Sequence, residues 1–303
     1  MNNHASFAGL LPRTILVLTG VLALPVAWGQ VKKQFSVEPV EKCEQIKLDL
    51  RAKSGNCFIR PSQNREILMV YSNQDLEEYG HSFSNEVSGN VCRVQLSLDQ
   101  EGREGLSRQI TSQMFGHENR SPEKIWKIYL SELKPYDLEL AYGVGRADVD
   151  LSGLSINKLK INTGSADVRV GFSTGMANRV AMDTFFVKVD VGSVDVRQVN
   201  LCRSKVMVAD VGFGNLELDF SQGPVVANRV FGSVGAGNLD ITLPGADVAV
   251  MVRIKDSWLC SVRLSKMLQP VGENMYANEA YTKNGKAALI FDLDVSLGNI
   301  RFR

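Results

Sequence analysis

Histidine is scarce in this chain, three in 303 residues, and there are only nine prolines, five cysteines and three tryptophans. Two of the histidines, His81 and His117, follow the N-terminal apolar run. Neither has a partner at metal-ligand spacing, so a histidine-based zinc site is not expected. An odd number of cysteines in a chain of this length excludes the disulfide framework of small secreted domains. An excess of one charge is missing too: 34 Lys and Arg stand against 33 Asp and Glu. That balance excludes a polybasic nucleic-acid binder and an acidic disordered chain. After residue 29 no apolar run approaches the ~20 residues of a membrane-spanning helix. What the sequence does hold is glycine, 26 residues of it, set among alternating apolar and polar positions.

Residues 1–29 have the three parts of a signal peptide. Arg13 is the basic n-region, Ile15 to Trp28 the apolar core, and Ala27-Trp28-Gly29 the cleavage site. Gly20 and Pro25 interrupt the run, which is too short to serve as an anchor. The expectation is export to the periplasm, the cell surface or the medium, with no transmembrane segment left after cleavage. All five cysteines, Cys43, Cys57, Cys92, Cys202 and Cys260, then lie in an oxidising compartment. Cys57 and Cys92 occupy strand-like runs of the same N-terminal region and are the candidate disulfide; the alternative is buried unpaired thiols. Cys43 lacks the Leu-x-Gly-Cys setting of a lipoprotein.

Six segments share a pattern of glycine, a short spacer, Asp or Asn, and then alternating apolar positions. They begin at Gly145, Gly164, Gly192, Gly212, Gly235 and Gly298, mostly about twenty to thirty residues apart. Each reads as a short strand entered through a glycine turn, with glycine supplying positive φ and Asp or Asn bonding the local backbone. Val149, Val168, Val196, Leu216, Leu239 and Ile300 point inward in this reading. Asp150, Arg169, Arg197, Glu217, Asp240 and Arg301 point outward, with Asp150 beside Arg169 and Arg197 beside Glu217 as cross-rung pairs. A second strand is expected before each turn, as at Leu138–Leu140, Leu159–Ile161, Val187–Val189 and Val206–Val208. If the units coil, equivalent side chains stack about 4.8 Å apart into internal apolar columns. The expected fold class is therefore all-β, a β-solenoid stack of short strands with glycine turns, preceded by the signal peptide.

The N-terminal region repeats the theme at Ile46–Leu50, Ser54–Ile59 and Ile67–Tyr71, and Val91–Leu98 adds a longer strand. The polar stretch 100–120 is expected to be a mobile loop. Ile125 to Leu133 fits a helix face and also alternates as a strand; Pro135 ends it, and strand is the assignment. The division that follows is a β-rich lobe at 30–135, continuous with a repeat region at 136–303.

The ordered string from Trp126 to Pro135, Asp137 to Gly145, Ala147 to Leu154 and Lys158 to Asp167 resembles the toast-rack domain of bacterial envelope proteins and adhesin-like relatives. The close, Ala288 to Phe302, is similar to the terminal strands of that family. The resemblance spans most of residues 40 to 303 and implies an exported β-solenoid module without catalysis.

Two enzyme-like motifs have plainer readings. Gly171-Phe-Ser173-Thr-Gly175 matches a nucleophile elbow, but no helix and no histidine follow it. Gly143-Val-Gly145 leads into a strand and offers no helix N-terminus to a pyrophosphate. No catalytic residue and no cofactor is assigned. Asp148, Asp167 and Asp195 head three successive repeats and are the calcium candidates if any metal binds; Asn215, Asn238 and Asn299 then replace Asp, which suits turns better than a metal ladder. Phe172, Phe185, Phe213 and Phe231 recur near turns; capping the core is the commoner use of such residues, and a binding face is the alternative. The leading functional expectation is a scaffold or adhesion module for an unknown envelope protein or cell-wall component. The alternatives are a glycan-binding or glycan-cleaving solenoid using an Asp column, and an envelope-stress sensor binding a peptide or lipid precursor.

Overall fold

Alternation of apolar and polar side chains gives a strand one inward and one watered face, and glycine interrupts it wherever two backbones crowd. The computed structural model describes residues 31–74, 80–100 and 123–303. The expected signal peptide, 1–29, and nearly all of the expected mobile loop lie outside the described residues. The rest is all-β, with two short helices at Val199–Cys202 and Glu279–Asn284. No helix among the described residues is long and apolar enough to cross a membrane.

The strands fall into two hydrogen-bonded ladders, parallel through their middle. In the first, β7 (Pro135–Asp150), β8 (Ser155–Thr163), β10 (Met182–Val189), β12 (Ser204–Val211) and β14 (Asn228–Val234) are successive neighbours. In the second, the far half of β7 is followed by β9 (Asp167–Gly171), β11 (Ser193–Val196), β13 (Asn215–Asp219) and β15 (Asn238–Thr242). The chain thus visits the two ladders in turn. Beyond this point sequence order and spatial order part. The last strands, β20 (Leu289–Val295) and β21 (Asn299–Phe302), lie between β14 and β15 on one side and β16 (Val250–Asp256) and β17 (Ser261–Arg263) on the other.

At the N-terminal end β2 (Gln45–Ser62) belongs to both ladders. Its first half pairs with β5 (Val91–Gln100) and β7, its second half with β6 (Ile125–Ser131) and β7. Antiparallel strands finish this end: β4 (Gly80–Ser88) lies on β5, β3 (Leu68–Ser72) on β6, and β1 (Lys32–Val37) on β3. At the other end β19 (Met275–Ala277) lies antiparallel on β16, and β18 (Gln269–Gly272) on β19.

Register turns the alternation into internal columns. Val94, Leu48, Leu138, Leu159, Phe185, Met207, Val230, Phe291 and Val252 are in register across the first ladder, and all are buried. Val149, Val170, Val196, Leu218, Ile241 and Phe302 do the same in the second. Each such side chain contributes about 1.5–3 kcal/mol relative to exposure. Phe291 also meets Phe220 and Phe302 edge-on, at centroid distances of 5.5 and 5.7 Å.

The corners differ from the expected glycine turns. Ile46–Leu50 and Ser54–Ile59 are one strand, β2, and the first repeat lies inside β7. There Gly55 and Gly145 do take positive φ, 100° and 113°. Gly192, Gly214, Gly237 and Gly298 do not. They are required by close approach: a Cβ on Gly214, Gly237 or Gly298 would stand 2.3 Å from the carbonyl oxygen of the glycine one rung earlier. That oxygen accepts from the residue after the corner, as in Asn215 N–H to Gly192 O at 3.0 Å.

The candidate disulfide is corrected. Cys92 bonds to Cys43, with Cα atoms 5.5 Å apart, and Cys57 is a buried free thiol. Cys92 is level with Ile46 at the start of β2, next to Cys43, whereas Cys57 lies eleven residues further along β2 and is level with Trp126 and Ala147 in the second ladder. Burial pushes the thiols of Cys57 and Cys202 up to about 12, so both stay protonated and unreactive.

Candidate functional site

In an in-register parallel ladder, equivalent outward residues form columns spaced by about 4.8 Å, so the surface follows directly from the register. Asp148, Asp167 and Asp195 do not share a column. Asp167 is level with Arg146 and Ser193, in a line that continues through Asn215, Asn238 and Asn299 to Ser261. Asp148 and Asp195 instead flank Arg169, in a line that continues through Glu217, Asp240, Arg301 and Arg263. Two of the six aligned copies, those of Gly145 and Gly192, are slipped by two residues from the alignment read in the sequence. A two-residue slip leaves every side chain on its own face, so alternation does not reveal it.

Each of the three carboxylates has a partner of its own. Asp148 faces Arg60 Nη1 at 2.8 Å, Asp167 accepts from Ser193 Oγ at 2.6 Å, and Asp195 meets Arg197 Nε at 2.9 Å. Among the described residues no three His, Cys, Asp or Glu side chains gather closely enough to hold a metal ion. The expected outward pairs change with the register. Arg169 stands between Asp148 and Asp195, while Glu217 stands between Asp195 and Asp240. Three acids in a row cost little where water screens them, about 1 kcal/mol per neighbouring pair. Arg197, Arg301 and Arg303 offset the charge at its ends.

The asparagines form a ladder. Asn238 Nδ2 donates to Asn215 Oδ1 at 2.6 Å and Asn299 Nδ2 to Asn238 Oδ1 at 2.8 Å. They line a polar groove with Glu217, Asp240, Arg263 and Arg301.

Ser173, the serine of the elbow motif, is bound to a carboxylate. Its hydroxyl donates to Asp150, which also accepts from Ser173 N at 3.1 Å, Ser152 N at 3.0 Å and Ser152 Oγ at 2.6 Å. Burial pushes the Asp150 carboxyl up, but these donors outweigh it and hold the group below its ordinary value. The arrangement is a loop staple. His81 lies 5.2 Å from the ring of Phe35, and His117 lies outside the described residues.

Five of the twelve large hydrophobic residues exposed among the described residues, Val144, Val191, Phe213, Leu297 and Trp258, stand at the corner between the ladders. Val191, Phe213, Ala236, Leu297 and Trp258 each stand two residues past an in-register position of the first ladder, and Val144 in β7 and Ser165 after β8 hold the matching places. All are exposed, Phe213 by 76% and Trp258 by 90%. Cross-rung hydrogen bonds pin this seam: Val191 N–H to Gly164 O at 2.9 Å, Phe213 N–H to Asp190 O at 2.8 Å and Leu297 N–H to Gly235 O at 2.8 Å. Phe172 and Phe185 are buried as expected of core caps, whereas Phe213 and Phe231 are not. Phe231 lies on the outer face of the first ladder beside Val208 and Phe186, with the Arg229 guanidinium 5.0 Å from its ring centre. The sequence reading missed Val144, Val191, Leu297 and Trp258. A recurring apolar residue directly before the corner glycine was the available signal for the first three.

Residues 28–197 match the family described as the N-terminal domain of toast_rack. No curated protein matches the chain. Among solved structures, a provisionally named cell adhesion protein from Clostridium sporogenes ATCC 15579 aligns with a TM-score of 0.42 and 17% identity, covering 90% of this chain and 99% of that one.

Proposed function

We propose a non-catalytic, partner-binding role at the bacterial cell envelope for this chain, which belongs to the toast-rack family. In this reading residues 1–29 direct export, the two ladders are the walls of a β-solenoid, segment 30–135 closes one end, and segment 136–303 presents the working surface. The observation that carries it is the corner seam of Val144, Val191, Phe213, Leu297 and Trp258. Large apolar side chains along one line, with only Ser165 and Ala236 between them, are left in water at a cost that burial against another molecule removes. Because hydrogen bonds already hold the corner backbone, little ordering entropy is lost on binding. The glycan reading relied on Asp148, Asp167 and Asp195 acting together, and Asp167 stands in a different line from the other two.

The test compares retention of the exported chain on envelope fractions with that of a Phe213→Ser, Trp258→Ser double variant. Retention is expected to fall about ten-fold or more, because buried aromatics dominate interfaces. Thermal stability should be nearly unchanged, since neither ring is in the core. Equal retention of the two proteins would overturn the reading.

A further inference from the structure

The two ladders end unevenly at the C-terminal end. The first continues past β16 with β19 and β18, whereas β17 pairs only with β21 among the described residues. Ser261 N–H donates to Gly298 O at 3.1 Å, so Ser261 faces β21. The N–H and C=O of one strand residue share a side and alternate along the strand, which turns those of Val262 to the open edge. The apolar interior also stops short here. Val262, Leu264, Met267 and Tyr276 are only partly buried, while Ile300 and Phe302, one rung inward, are fully packed.

We infer that the free edge of β17 accepts one extended strand of another protein, with acidic residues at its outward positions. The charge follows from the column that ends there. Arg301 lies 3.7 Å from Asp240, but Arg263, beyond it, has no acidic partner among the described residues. A strand laid beside β17 places its outward side chain about 4.8 Å from Arg263, where a carboxylate is attracted and a lysine repelled. Its inward side chains cover Val262 and Tyr276, so the incoming segment alternates apolar and acidic residues. A second copy of this chain is the poorer occupant. Among the described residues the free edge of the second ladder at its opposite end is β1, which holds no acidic residue and presents Lys32, Lys33 being paired with Glu66, so it offers Arg263 a like charge and no carboxylate. Trp258, at the corner leading into β17, makes the edge continuous with the apolar seam. The inference thus rests on the partner-binding reading and locates one of its contacts.

The probe is a fluorescein-labelled peptide alternating valine and glutamate, compared with its lysine counterpart, read by anisotropy and by amide hydrogen exchange at Val262. The glutamate peptide is expected to bind about five times more tightly and to slow exchange there. Val262→Pro removes the outward N–H without touching the pairing to β21, so it should abolish binding while the protein stays folded. Arg263→Glu should invert the peptide preference. Equal binding of the two peptides, binding retained by Val262→Pro, or protection of Val262 that rises with protein concentration alone would overturn the inference. A Phe213→Ser, Trp258→Ser variant that still binds the peptide but loses envelope retention separates failure at the seam from failure at the edge.

Discussion

The rungs built from β2 and β7 turn the corner differently from those that follow. In the first the strand runs through unbroken, and Gly55 and Gly145 bend it with φ values of 100° and 113°. In the second each strand stops before the corner, and Gly192, Gly214, Gly237 and Gly298 keep ordinary φ while pressing on the rung below. Glycine is needed in both regions, for conformation and close approach in one and for close approach alone in the other. Both regions end in antiparallel strands, and the first also carries the disulfide.

Substitutions that add only a Cβ separate these two uses of glycine. Gly145→Ala is expected to cost most, about 4 kcal/mol: ~3 for driving a Cβ against the Gly55 carbonyl and ~1 for the left-handed backbone. Gly214→Ala should cost about 3 kcal/mol, the steric part alone. Urea unfolding of both variants measures the difference, and equal losses would remove the distinction. Next comes the covalent tie. Replacing Cys43 and Cys92 by Ala opens a link spanning 49 residues and should cost about 3 kcal/mol. Amide exchange should rise in β2 and β5 more than in β13 and β15; a uniform rise would mean that the regions unfold as one.

The smallest effect concerns Asp150, at the end of β7. Its folded value is depressed, so its contribution is complete above the ordinary carboxylate value of about 4 and is lost as pH falls through the folded value. Asp150→Asn should therefore flatten the acid limb of stability below about pH 4 and leave the alkaline limb unchanged. An unaltered acid limb would show that the Ser152 and Ser173 hydrogen bonds do not depend on the charge.

Much of this was legible along the chain. Val168, Leu216, Leu239 and Ile300 are inward, as alternation requires, and the string from Trp126 to Asp167 pointed to the family that the comparison shows. The site was less legible. Asp148 and Asp195 sit two residues from where sequence alignment put them, a shift that preserves the apolar pattern and so leaves no trace in it. Cys43 and Cys92 became neighbours only because β2 and β5 pair in a particular register. The seam escaped notice because an isolated valine or leucine before a glycine is ordinary, and only stacking collects them.

Residue by residue, the amino-acid order determined which side chains face inward and where glycine must interrupt a strand, because both are local consequences of a two-residue period and a missing Cβ. The tertiary structure decided which rung lies against which, the placing of β20 and β21 between β14/β15 and β16/β17, the partner of Cys92 and the open side of β17. Similar rungs offer similar apolar faces to one another, so neighbours and even-numbered shifts are chosen by the summed packing of the whole stack and not by any single segment.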